Sequence, residues 1–77
     1  MTKEFVIRYL WYDERDGRWQ RGEYGLHCGD GVEVRIGGEW HQTRIEHTHS
    51  STHSNGWYLV SHPDTPLDGL AVRKELR

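Results

Sequence analysis

Residues 5–12, FVIRYLWY, set the first pattern along the chain: eight positions rich in β-branched and aromatic side chains. Such types suit a pleated, partly buried surface. Side chains alternate along a strand, so Phe5, Ile7, Tyr9 and Trp11 share one face and Val6, Arg8, Leu10 and Tyr12 share the other. Both faces are largely apolar, which predicts a strand covered on two sides. Residues 13–17, DERDG, supply a turn, with Asp16-Gly17 suited to positive φ. A second strand is expected over residues 18–24.

Gly29-Asp30-Gly31 marks the next turn. Val32, Val34 and Ile36 then alternate with Glu33 and Arg35, the pattern of a half-buried strand. Gly37-Gly38 closes a tight hairpin and residues 39–47 return. A two-residue loop sets Ile36 opposite Glu39, Val34 opposite His41 and Val32 opposite Thr43, with Ile45 on the inner face and Trp40 outside beside Arg35. A bulged loop would shift the register by one and carry Trp40 inward. The pattern leaves both registers open.

Residues 48–55, THSSTHSN, read as a polar loop tip, and residues 56–60, GWYLV, as a strand apolar on both faces. Residues 63–69, PDTPLDG, form a turn-rich connector and are the expected place for any single helical turn. Residues 70–73 make a short closing strand, followed by a charged end. No segment keeps a helical period. The expected fold is one domain over residues 1–77, mainly β: a small SH3-like or similar barrel of five to six short antiparallel strands with little or no helix. Closure would remove the open edges that invite aggregation.

Composition sharpens this picture. A chain of 77 residues buries only roughly 60% of the surface it exposes when unfolded. Hydrophobic residues make up 34%, so the 4 Trp, 4 Tyr and 1 Phe carry much of the burial. Trp11 and Trp57, in strands apolar on two faces, are assigned to the core. Trp19 and Trp40, flanked by polar residues, are the candidates for exposure.

Lys and Arg number 10 against 12 Asp and Glu, a net charge of −2 spread evenly along the chain. A duplex-binding protein carries a clear basic excess, and this chain has none. Cys28 is the sole cysteine, which excludes an internal disulfide and fits a reducing compartment. With no signal-like start and no apolar run approaching about 20 residues, the expected location is the cytoplasm, away from membranes.

Residues 25–47, GLHCGDGVEVRIGGEWHQTRIEH, then GWYLV, then PLDGLAVR, together with YDERDGRW at residues 12–19, follow a familiar order and spacing. This arrangement resembles the domain-of-unknown-function family 5348, short proteins found mainly in bacteria and their phages and mobile elements. THSSTHSN and the unusually aromatic start depart from that family's pattern. The resemblance implies an SH3-like or similar β-barrel and no activity. It also implies an accessory role in a phage or mobile element, which includes inhibition of bacterial defence.

Candidate chemistry is sparse. His47 and His49 share one side of a strand end and His53 follows, so a surface metal site is conceivable, but no ligand-like Cys or acid adjoins them beyond Glu46. The expectation is a solvated loop with no metal and no cofactor. Cys28 is expected to be a small buried apolar group, and adjacent strand residues point apart, which denies it His27 as a base. No catalytic residue is assigned.

Arginines and rings remain. Arg18, Trp19, Tyr24, Arg35 and Trp40 stand among polar neighbours and are the expected partner contacts, since Trp, Tyr and Arg dominate protein–protein hot spots. The expected function is a non-catalytic protein-interaction module of a phage or mobile element that inhibits a host defence enzyme. The partner is an unknown protein. The alternative is single-stranded nucleic acid stacked on an Arg/aromatic face, against which the net charge argues.

Overall fold

Leu10 divides the N-terminal apolar run into two strands that belong to different sheets. The computed structural model describes residues 3–48 and 53–76, with backbone only at 53 and 54. Strand β1 is Phe5–Tyr9 and β2 is Trp11–Asp13. Between them the Leu10 N–H donates to the Leu70 carbonyl and its own carbonyl accepts from the Gly69 N–H, both at 2.9 Å. The Leu10 side chain is buried. One run of chain therefore bends around a core leucine from one layer into the next.

The remaining strands are β3 (Arg18–Arg21), β4 (Tyr24–Gly25), β5 (Gly31–Ile36), β6 (Glu39–His47), β7 (Trp57–Leu59) and β8 (Ala71–Glu75). They pair antiparallel into a five-stranded sheet of order β1-β8-β5-β6-β7 and a three-stranded sheet of order β2-β3-β4. The mainly-β expectation holds. Among the described residues the pairing yields two sheets with β1 and β7 as edges of the larger, and no closed ring is traced. Among the described residues the helical turn is a 3-10 turn at His53–Gly56, not in residues 63–69.

Turn chemistry explains the hairpins. Gly37 and Gly38 have φ of 60° and 83°, the two successive positive values of a type I′ turn, whose twist matches that of the strands it joins. The resulting register is the two-residue one: Ile36 opposite Glu39, Arg35 opposite Trp40, Val34 opposite His41. The segment expected as one strand over residues 18–24 is instead a hairpin, with Arg21 opposite Tyr24 across Gly22-Glu23. Gly22 has φ of 63° and sits first in that loop, where a type II′ turn requires it.

The core lies between the sheets. Val32 and Val34 of β5, Ile45 of β6, Trp57 and Leu59 of β7 and Val72 of β8 face it from the larger sheet, with Trp19 of β3 opposite. Leu10, Leu26 and Leu67 fill it from the connections. The buried Thr43 is satisfied by the Ser61 hydroxyl, which donates to its Oγ1 at 2.7 Å, as a buried polar group requires.

Two tryptophans exchange the places expected of them. Trp19 is 4% exposed and packs edge-on against Tyr12, with ring centroids 5.3 Å apart. Its polar neighbours mislead because Gln20 is itself buried, its amide Nε2 donating to Asp16 Oδ2 at 3.2 Å. Trp11 is 47% exposed. The two-sided cover expected for residues 5–12 does not exist, because no described layer packs over the outward face of β1. Cys28 is likewise exposed, in the turn before β5, rather than buried.

Candidate functional site

The outward face of the larger sheet carries the densest set of polar and aromatic contacts. Arg73 lies opposite Ile7 on one side and Glu33 on the other, because β8 is threaded between β1 and β5. Its Nε donates to Glu33 Oε1 at 2.8 Å and its Nη2 to Glu33 Oε2 at 2.9 Å. This two-pronged geometry fixes the plane of the guanidinium. The guanidinium carbon then sits 4.1 Å from the centre of the Phe5 ring and 4.5 Å from that of Trp40. Hydrogen bonding from Arg73 holds the Glu33 carboxyl below the usual carboxylate range, against the opposing effect of burial, and the same bonds raise the Arg73 guanidinium. Four side chains from four strands are thereby locked in place. The cluster presents rings, not reactive groups.

Beside it, β1 turns Ile7 and Tyr9 outward, while Trp11, past the bend at Leu10, lies on β2 of the smaller sheet. They are 45%, 64% and 47% exposed. The Trp11 indole N–H donates to the Gly22 carbonyl at 3.2 Å, which fixes the ring without covering it.

The expected contact residues divide between the two sheets. Arg35 and Trp40 face each other on the larger sheet as the hairpin register requires, Arg35 exposed and Trp40 half-buried. The cation lying over the Trp40 ring is Arg73, however, a pairing invisible in the hairpin sequence. Tyr24 is exposed on the smaller sheet, its hydroxyl donating to Asp30 Oδ2 at 3.3 Å and its ring beneath Arg21 at 5.3 Å. Arg18 is half-buried on the smaller sheet, donating to the Leu26 carbonyl at 3.4 Å and lying 3.7 Å from the Asp16 carboxylate. Trp19, buried in the core, leaves the contact set. Phe5, Ile7, Tyr9, Trp11, Glu33 and Arg73 were not among the expected contacts. Period-two alternation did place Phe5, Ile7 and Tyr9 on one face, while Trp11 is carried past the bend at Leu10 onto the smaller sheet; nothing in the sequence said that this face is open.

A groove of about 660 Å³ opens between the β3–β4 hairpin and the β1–β8 pair. Val6, Arg8, Arg21, Gly22, Glu23, Tyr24 and Lys74 line it. Among the described residues Arg8, Arg21 and Lys74 form no ion pair, whereas Lys3, Arg18, Arg44 and Arg73 each do.

His47 packs edge-on against Trp57 at 5.0 Å. His49 and the His53 side chain lie outside the described residues. Among the described residues no three His, Cys, Asp or Glu side chains are grouped to hold a metal ion. His41 and His62 rings meet at 4.9 Å, leaving His62 Nδ1 buried with no hydrogen-bond partner. None of the described helical segments is long and apolar enough to cross a membrane.

Fold and surface together define a small, mainly-β domain of two antiparallel sheets whose larger sheet keeps an aromatic outer face. The family described as domain of unknown function (DUF5348) matches over residues 8–74, and the chain belongs to it. Phe5 and Ile7, two of the three outward residues of β1, precede the matched segment. No curated protein and no solved structure matches the chain.

Proposed function

We propose that this domain is a non-catalytic protein-binding module whose contact surface is the outward face of β1 with the adjoining Phe5–Arg73–Trp40 cluster. One observation carries the reading: Ile7 and Tyr9, neighbouring outward positions of β1, are 45% and 64% exposed beside the Phe5–Arg73–Trp40 cluster, and Trp11, past the bend at Leu10 on the smaller sheet, is 47% exposed. Only 34% of this chain is hydrophobic, yet it leaves the neighbouring Ile7 and Tyr9, and Trp11 beyond them, at the surface. Single exposed apolar residues need no explanation, but a contiguous set marks an interaction surface. Rings held rigidly, as Trp11 and Trp40 are, lose little entropy when they engage a partner.

Within this reading the chain is an accessory protein of a phage or mobile element. It acts in the cytoplasm, and its partner is a host protein, a defence enzyme being the proposed target. The continuous passage of one strand run from sheet to sheet at Leu10 supports viewing the fold as an open SH3-like roll. Single-stranded nucleic acid is the second reading, favoured by the placing of Arg8, Arg21 and Lys74 around one groove with the exposed Tyr24 ring.

The test begins with affinity capture from the native host and identification of the bound protein. Ile7→Ser, Tyr9→Ala and Trp11→Ala combined should weaken that complex by at least about thirtyfold, the loss of one strong hot spot. The variant should still unfold cooperatively, at a melting temperature lowered by the loss of three half-exposed side chains but well above the temperature of the binding measurement. A variant that binds the partner as tightly as the parent would remove this face from consideration.

A further inference from the structure

The geometry points to strand addition: β1 receives at its open edge an extended segment of a partner protein whose side chains alternate apolar and acidic. This inference rests on the protein-binding reading above and names the chemistry of the partner.

The backbone supplies the first argument. β1 is the terminal strand of its sheet, paired on one side only, with β8. The Leu76 N–H donates to the Glu4 carbonyl at 2.8 Å and the Leu10 N–H to the Leu70 carbonyl at 2.9 Å. Even-numbered positions therefore bond inward to β8. Antiparallel pairing alternates, so the N–H and C=O groups of Phe5, Ile7 and Tyr9 point to the open edge. Consistent with this, the Ile7 carbonyl takes a hydrogen bond from its own neighbour, the Arg8 Nη1, at 3.0 Å. Proteins that do not use an exposed edge shorten it, bulge it, cover it or place charges on it. Here five residues pair regularly with β8, and among the described residues no strand covers the other side, where the Arg8 guanidinium holds the Ile7 carbonyl that an incoming N–H would take over.

The side chains supply the second. A strand laid against β1 would send alternate side chains to opposite faces. On the outward face they meet Ile7 and Tyr9, both exposed and apolar in body. On the other face they enter the groove lined by Arg8, Arg21 and Lys74, three cations without an ion-pair partner among the described residues, against the single Glu23. An incoming strand that matches both faces is apolar at one set of alternate positions and carboxylate-bearing at the other. Main-chain bonds to the edge hold such a segment, and the two faces select it. A second copy of this chain would bring its own Arg8 to the groove, which charge disfavours. Nucleic acid would use the cations but neither the edge nor Ile7.

The test uses the full chain, isotopically labelled, and three probes: a peptide of alternating Glu and Val, its Lys-for-Glu counterpart, and an oligothymidylate of equal length. The Glu–Val peptide should slow amide hydrogen exchange at Ile7 and Tyr9. It should also bind about tenfold more tightly than the Lys–Val peptide, as charge complementarity across a groove predicts. Arg8→Glu should reverse that preference, and Lys74→Glu should weaken it independently. Equal binding of the two peptides, unprotected Ile7 and Tyr9 amides, or preference for the oligothymidylate would each overturn the inference. So would protection that appears on raising the protein concentration alone, which would mean self-pairing. If the triple variant at Ile7, Tyr9 and Trp11 loses its captured host partner while Arg8→Glu keeps it, the contact face stands and strand addition falls. Retention of that partner by the triple variant would remove the contact face itself.

Discussion

Trp19 and Trp11 carry the same indole to opposite fates, and their contrast is measurable. Trp19 is 4% exposed among core leucines and valines, so Trp19→Ala should cost about 3–5 kcal/mol in denaturant unfolding. Trp11, half exposed, should cost well under half of that. Comparable losses at both positions would mean that the Trp11 ring is covered. Glu33 offers a second residue-scale test. Its folded-state pKa lies below the ordinary 4.5 because Arg73 hydrogen-bonds the carboxylate. A lowered folded pKa contributes stability that is present above the unfolded value and lost as pH falls through the folded one. The melting temperature should therefore drop as pH is lowered below about 4.5, and Glu33→Gln should flatten part of that drop while lowering stability at neutral pH. An identical pH profile in Glu33→Gln would show that the pair adds nothing.

At the scale of the element, the β5–β6 hairpin was legible and the packing around β1 was not, for a physical reason. Gly37-Gly38 admits the two-residue turn, and the turn dictates the register; of the two registers the sequence left open, the one found puts Trp40 outward opposite Arg35. Nothing local dictates that β8 enters between β1 and β5. Residues 33 and 73 meet through a pairing 40 positions apart, and the Phe5–Arg73–Trp40 cluster follows only from it. The hairpin at Gly22-Glu23 was missed because Gly22 interrupts a segment that otherwise alternates like one strand. The turns also differ in what they tolerate. A Cβ at Gly38 would meet nothing within 4 Å, so Gly38→Ala should cost only the left-handed backbone penalty of about 1–2 kcal/mol. A Cβ at Gly56 would lie 2.7 Å from the Thr48 carbonyl oxygen, at φ of 88°. Gly56→Ala should therefore be clearly worse than Gly38→Ala, and equal losses in urea unfolding would contradict the packing of that corner.

For the whole molecule, two sheets around one core leave β1 with an unpaired edge among the described residues and an exposed apolar face. A net charge of −2 argues against phosphate contacts as the main source of affinity, and the expected complex should show only a modest salt dependence. The most direct measurement is the affinity of the captured host partner for the Ile7→Ser, Tyr9→Ala, Trp11→Ala variant, with melting temperature recorded on the same sample. The account predicts a loss of about thirtyfold or more with folding intact. Undiminished affinity in a folded variant would contradict it.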